Sequence, residues 1–298
     1  IMIRVGSGPR QLVLGFMVAT AFLSMWISNT ATTTMMLPIA LAVGEMLRPR
    51  RGSSSETGID PTVDASGEPY HFGIALMMGV AYAASIGGVA TLIGTPPNAV
   101  FAGAAQEMLG VRIGFLQWMT VGVPVSVVML PTAWAILVFL MHRPGPTRGD
   151  AGEVLERERS GLGPWSRGER IVGTVFLLTA LGWLLREPKG ALPGIATFAP
   201  RVLDSTIAMT AALLLFLIPV DFRKRIFALD WHTARKAPWE ILILFGGGLS
   251  LARAMDQSGL ASWIGGSVAG LADVPAWVLA MAVATLFVLL TEVASNTA

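Results

Sequence analysis

The chain has 298 residues, of which 53% are hydrophobic and 13% charged, with a net charge of +2 and no cysteine. Soluble domains carry about 25% charged residues, so this composition, with a mean hydropathy of +0.64, indicates a multi-spanning membrane protein rather than a soluble one. The absence of cysteine excludes disulfides and thiolate metal sites, and the basic residues behind the pI of 9.4 sit in loops, which points to membrane topology instead of nucleic-acid binding.

Residues 12–27 and 31–47 are apolar, and each is shorter than the about 20 residues a spanning helix needs. Arg4 and Arg10 precede the pair, and Arg48, Arg50 and Arg51 follow it. A re-entrant hairpin over 12–47 places both arginine clusters on the cytoplasmic face, where basic loops belong; one straight span does not. Residues 48–70 form a polar linker. The apolar stretch 71–109 is broken at Gly94-Thr95-Pro96-Pro97-Asn98, where two prolines remove helical donors and free the carbonyls of Leu92 and Ile93.

A span over 115–141 follows, then a polar loop over 142–170 that carries six arginines, from Arg143 to Arg170. Further spans are expected at 171–185 and 204–219, with a Pro/Gly loop between them. Residues 220–238 are basic, and Trp231 and Trp239 suit a membrane interface. The stretch 239–255 crosses next, with Gly246-Gly247-Gly248 read as close packing or a flexible break. Residues 256–274 read as an amphipathic surface segment, and 276–294 re-enter the membrane. Threaded alternately, this order leaves five of the 21 Lys/Arg outside (Arg112, Arg186, Lys189, Arg201 and Arg253) and the rest inside, so the last hairpin enters from the opposite face to the first. Arg253 is read as snorkelling to the outer interface. No signal-peptide pattern precedes Arg4, and Ala298 falls within an apolar element, as expected of a piece of a longer protein.

The tetrapeptide Ser28-Asn29-Thr30-Ala31 recurs as Ser295-Asn296-Thr297-Ala298, with Ser24 and Thr291 four residues ahead of the respective serines. One Ser-Asn-Thr is commonplace. Two copies at matched breaks of opposed topology point to a transporter's binding site, because polar breaks at membrane depth survive only where they line a cavity. The second helix of each hairpin offers N–H groups and a positive dipole end to an anion, while the carbonyls that end the first suit a hard cation. His71, His142 and His232 all lie at polar edges, so a divalent anion has to be balanced by helix dipoles and co-bound cations. Glu292 reads equally as a functional acid or as a partner for backbone groups.

These passages, with Met35-Met36-Leu37-Pro38-Ile39, Ile93, Trp239, Gly246-Gly247-Gly248-Leu249, Ser258-Gly259-Leu260-Ala261 and Thr291-Glu292, resemble the divalent-anion:sodium symporter family of dicarboxylate and citrate carriers. The resemblance implies an all-α membrane protein with inverted-topology repeats, re-entrant hairpins and a broken helix, working as an elevator-type sodium-coupled symporter of di- or tricarboxylates (succinate, malate, citrate). It implies a homodimer when full length, in a bacterial inner membrane, with sodium as coupling ion, no other cofactor and no nucleic-acid partner. The first sodium site would use Ser24, Ser28, Asn29 and Gly94, and the second Thr291, Ala294 and Asn296. Substrate would meet Ser28, Asn29, Thr30, Ser295, Asn296 and Thr297, with Thr95, Pro96, Pro97 and Asn98 supporting the unwound helix.

On this reading residues 1–141 are the transport-domain part of the first repeat, 142–170 a cytoplasmic linker, 171–274 scaffold-type helices and 275–298 the first arm of the second hairpin. Asn29, Gly94 and Asn296 are expected to converge near mid-bilayer. A sodium-independent exchanger or a sulfate/oxyanion permease of the same fold is the alternative. An intramembrane enzyme is disfavoured, because no histidine lies at depth and no Gly-x-Ser-x-Gly is present.

Overall fold

The computed structural model describes residues 8–48, 62, 69–145, 163–188, 193–237, 239–268 and 274–291, and these are mostly helical. Helix α1 spans Pro9–Ser24 and starts on a proline, whose missing N–H is tolerated at that position because the first turn has no partner for it. Helix α2 spans Asn29–Met46, α3 His71–Val89 and α4 Pro96–Leu109, which ends at Gly110 with a left-handed φ of 67°. Helix α5, Phe115–Ala135, runs on into a π-helical turn, Ile136–Met141. A reciprocal Ser166–Glu169 capping box starts α6, Arg167–Arg186, and α7 (Ile195–Phe198) and α8 (Asp204–Leu217) follow. A short antiparallel ribbon pairs β1 (Pro219–Asp221) with β2 (Ile226–Phe227). These elements belong to a first compact unit, Ile1–Leu229; the second, Asp230–Ala298, contains α9 (Trp231–Ala234), α10 (Glu240–Gln257), α11 (Leu260–Val268) and α12 (Ala276–Thr291).

Three described helices are long and apolar enough to cross a bilayer: α3, α5 with its π-helical turn, and α6. Their surroundings differ. The protein buries 61% of the apolar window of α3 but only 17% of that of α5 and of α6. Val121, Val127, Val128 and Leu140 on the α5 segment are each more than half exposed. Faces so apolar and so exposed call for hydrocarbon as solvent, and the chain is an integral membrane protein.

Helix α3 is the strut of the first unit. A Cβ on Gly79 would meet Met17 and Val13 of α1, and one on Gly87 would collide with the carbonyl of Ala21. On α2 the order reverses, with Gly73 against Gly44 and Gly88 against Asn29. Helix α1 therefore runs parallel to α3, α2 runs antiparallel to it, and the two form a helical hairpin on its surface. Small residues allow this close approach, and Leu12, Phe16, Met17, Met36, Val43, Leu76 and Val80 fill the core between the three helices. Both outer ends of the hairpin lie at the His71 end of α3. The Arg10 guanidinium stacks over Phe139, Arg48 lies over Tyr70, and His71 meets His142. Tyr70 donates to Gly44 O at 3.0 Å, and burial pushes its phenol up to about 12 against the opposing pull of Arg48.

At the other end of α5, the Asp204 carboxylate accepts from Phe115 N at 3.2 Å and lies 3.5 Å from Arg186 Nε. That guanidinium is buried; it donates to Val202 O and pairs with Glu187 at 3.2 Å. The knot ties the starts of α5 and α8 to the end of α6. Above it, Trp26 packs edge-on to Phe176 and stacks on Phe115, which in turn stacks on Trp183.

The element boundaries differ from the sequence expectation in four places. The first break occupies 25–28, so Asn29 and Thr30 begin α2 instead of separating the arms. The second occupies 90–95, and Pro96 and Pro97 start α4, where their missing N–H groups are harmless, instead of unwinding a helix. Gly246–Gly248 lie inside a continuous α10. The basic segment after α8 holds the β-ribbon, a small addition to an otherwise helical fold.

Gly87→Ala should lower the thermal unfolding midpoint of purified protein, since the methyl meets backbone that cannot yield cheaply, at a cost of about 1–3 kcal/mol. Gly103→Ala, with nothing within 4 Å of its Cβ, should leave the midpoint unchanged or raise it. Equal midpoints for the two variants would remove the close-packing account of α3.

Candidate functional site

The site candidate is the junction where the hairpin break meets the end of α3. Helix α3 stops at Val89 within apolar surroundings, so its last carbonyls lose their helical donors and must find others. Side chains from three neighbours supply them. Ser126 Oγ of α5 donates to Ile86 O at 2.8 Å, and Trp118 Nε1 to Val89 O at 2.9 Å. Asn98, buried in the first turn of α4, donates through Nδ2 to Gly88 O at 2.9 Å and to Thr91 O at 2.7 Å. In the other direction Thr91, itself buried, donates its hydroxyl to Met25 O in the hairpin break.

Ser24, the last residue of α1, is fully buried; its Oγ lies 2.7 Å from Ala84 O and 2.8 Å from Asn29 Oδ1. One hydroxyl carries one proton, and Ala84 O can only accept. When the proton goes to Ala84 O, the Asn29 amide completes the pair with its NH2 group, and its oxygen is released for another partner. Asn29 also lies against Gly88, where any Cβ would strike its amide, and a Cβ on Gly94 would stand 2.5 Å from Gly88 O and 2.9 Å from Ser24 O. Glycine is required at both positions because a side chain and backbone carbonyls close in on them.

Of the residues the sequence singles out, Ser24, Asn29, Gly94 and Asn98 come together around Gly88. Ser28 caps α2, its Oγ accepting from Ala31 N at 3.4 Å, and is exposed, as is Thr30. Thr95 is the residue before α4, and Pro96 and Pro97 are its first two. Thr291 closes α12, while Ala294, Ser295, Asn296 and Thr297, with Glu292, lie outside the described residues, and so does the expected convergence of Asn296 with Asn29.

Sequence reasoning missed Ala84, Gly88, Thr91 and Trp118. Side-chain donors reach the carbonyls of Ala84, Ile86, Gly88, Val89 and Thr91, all upstream of Leu92 and Ile93. The available signal was the Gly87-Gly88 pair just ahead of the break, which marks a close approach, followed three residues later by a threonine in an apolar run.

Chemically the junction is two-sided. The N-terminal turns of α2 and α4 bring positive dipole ends, and that of α2 also brings spare N–H groups, which α4 lacks because it starts on Pro96 and Pro97; together they suit an anion. The C-terminal ends of α1 and α3 bring carbonyl oxygens, joined by the Asn29 amide, which suit a hard cation. Residues 24–30 and 84–98 contain no Lys, Arg or His.

Residues 1–298 match the family described as the sodium:sulfate symporter transmembrane region. A sodium-dependent dicarboxylate transporter, SdcS, of Staphylococcus saprophyticus is 38% identical over 298 residues, covering 98% of this chain and 54% of the relative. The protein of the same name from Staphylococcus aureus strain USA300 is 38% identical over 297 residues, covering 99% and 55%. The chain spans about half the length of the curated relatives it matches.

Asn98→Asp keeps the shape of the side chain but turns an acceptor towards two carbonyls. It should cost about 1–3 kcal/mol of stability and speed amide hydrogen exchange across 88–95 while sparing α6 and α8. Unchanged exchange across 88–95 would show that Asn98 does not hold the break.

Proposed function

Because this chain belongs to the sodium:sulfate symporter transmembrane family, we propose that the full-length protein is a sodium-coupled symporter of dicarboxylate anions in a bacterial plasma membrane. The observation that carries the reading is the junction at Gly88, where two helix N-terminal turns and two carbonyl-rich helix ends meet in segments that contain no basic side chain. Without a fixed cation, a dicarboxylate is held only when something else supplies positive charge. Sodium bound by main-chain oxygens around Ser24, Gly88 and Gly94, with the Asn29 amide, supplies it. The carboxylate then accepts from the first turn of α2 and from Thr30. Coupling follows directly: the anion site is complete only when the cation site is filled.

The Ser295-Asn296-Thr297 copy, with Thr291 and Ala294, is proposed to furnish the equivalent groups from the second repeat. The hairpin, α3, α4 and α5, the transport-domain part over 1–141, are proposed to move as one body in an elevator cycle within a homodimer. The names of the relatives favour dicarboxylates, with tricarboxylates such as citrate admitted by the same chemistry. Sulfate is the second reading, favoured by the description of the family itself.

Labelled succinate uptake by the full-length protein should require sodium, and an excess of unlabelled sulfate should compete poorly; strong sulfate competition selects the second reading. Asn29→Ala should reduce uptake and sodium sensitivity together, at least about tenfold, the equivalent of losing one charge-assisted hydrogen bond. Arg253→Ala should leave the sodium dependence as it is. Sodium should also stabilise the fold, by about 2.7 kcal/mol at a hundred times its dissociation constant, read as a higher unfolding midpoint, and Ser24→Ala should diminish that gain. Sodium-driven uptake that survives Asn29→Ala at normal expression would sink the assignment.

A further inference from the structure

Two of the three histidines of the chain, distant in sequence, meet at one end of the first unit. Nδ1 of His71 lies 3.3 Å from Nδ1 of His142, with ring centroids 5.6 Å apart and planes inclined by 39°. His71 is the exposed first residue of α3, and His142 is the half-buried residue that ends the π-helical turn, its N–H donating to Leu137 O at 2.8 Å. Both backbones are anchored. Phe72, Leu137 and Val138 are buried, Tyr70 is bonded to Gly44 O, and Trp134 Nε1 donates to Arg10 O at 3.0 Å. The π-helical turn is itself unusual, being a geometry that recurs at functional sites.

The separation has a chemical meaning. A zinc-class ion binds imidazole nitrogen at about 2.0–2.1 Å, so two ligands on one tetrahedral edge stand about 3.3–3.4 Å apart. We propose that His71 and His142 form a two-histidine clip for a divalent transition-metal ion, held through both Nδ1 atoms and completed by water. Burial and the neighbouring His71 ring hold His142 below the usual histidine range, so its ring is uncharged at neutral pH and its lone pair is available. On binding, the ring that carries its proton on Nδ1 moves it to Nε2, so that both Nδ1 lone pairs face the ion. The nearby cations are engaged elsewhere: Arg10 stacks over Phe139, Arg143 donates to Phe139 O at 2.8 Å, and Arg48 pairs with Glu45 at 3.1 Å. The bound ion would tie the start of α3 to the end of the α5 segment.

A neutral His–His hydrogen bond fits the same distance, and the experiment separates the two. Zinc chloride is titrated into tag-free full-length protein in detergent, by calorimetry and by thermal unfolding. Wild type should bind one saturable zinc at the pair and gain thermal stability, with weaker binding at pH 5.5 than at pH 7.5. His71→Ala and His142→Ala should each weaken binding at least about tenfold, since even outer-shell partners of a metal are worth that much, and should lose the stability gain. His232→Ala, in the second unit, should behave as wild type. A wild-type protein without saturable zinc binding overturns the proposal, as does a zinc-dependent gain that survives in either single variant. Loss of stability in both variants without any zinc effect in wild type identifies a plain hydrogen-bonded staple, which also overturns it.

Discussion

A helix that ends inside an apolar layer leaves carbonyl groups that water cannot reach, and each such group left bare costs several kcal/mol. The end of α3 at Val89 sets this problem, and much of the first unit is arranged around its answer. Asn98 reaches back from α4 and Trp118 and Ser126 reach across from α5, while Ser24 of α1 adds a bond to Ala84 O one turn further back. Each donor requires its own helix to sit in a fixed register against α3. The break at 90–95 is therefore a point where four helices are indexed to one another, and it is also where polar groups remain for a ligand.

The packing along α3 serves the same end. Gly73, Gly79, Gly87 and Gly88 let both arms of the hairpin approach closely, so the carbonyl-rich end of α1 and the N-terminal turn of α2 are delivered to one place. The hairpin break is held by side chains bonded to main chain, chiefly Ser24 and Thr91, together with the ring stack that runs from Phe176 through Trp26 and Phe115 to Trp183. That stack sets the hairpin tip against Phe115 of α5 and Phe176 of α6, while the Arg186–Asp204 knot joins the starts of α5 and α8 to the end of α6.

The helical, membrane-embedded character was legible because long apolar runs have one physical solution in lipid. The candidate site was legible to the extent that polar residues inside such runs stand out: Ser24, Asn29, Gly94 and Asn98 were all identified, and the structure gathers them around Gly88. Boundaries were less legible, for a specific reason. From the sequence, Pro96-Pro97 reads as the cause of the break, whereas proline at the first positions of a helix is a starting signal, and the break precedes it. Thr91 and Trp118 escaped notice because their roles depend on which carbonyls α3 exposes, a question of tertiary register that composition does not carry. The Arg186–Asp204 knot joins residues whose proximity depends on how α6 and α8 pack, and the sequence placed Arg186 only as a loop charge.

The hairpin also constrains how the protein is made. Helix α1 has 16 residues, about 24 Å of helix against about 30 Å of hydrocarbon, and α2, with 18, is about 27 Å long. Neither arm is long enough to be handed to the bilayer as a separate span, and Arg10 and Arg48 lie at the same end of the hairpin. Beyond its local bonds, the polar break between the arms finds partners on α3 and just after it, at Ala84, Gly88 and Thr91. Biogenesis is accordingly a waiting problem. Helices α1 and α2 leave the ribosome before the element that supplies these partners, and their stable insertion is timed by the emergence of α3, which begins at His71, 25 residues after Met46 ends α2.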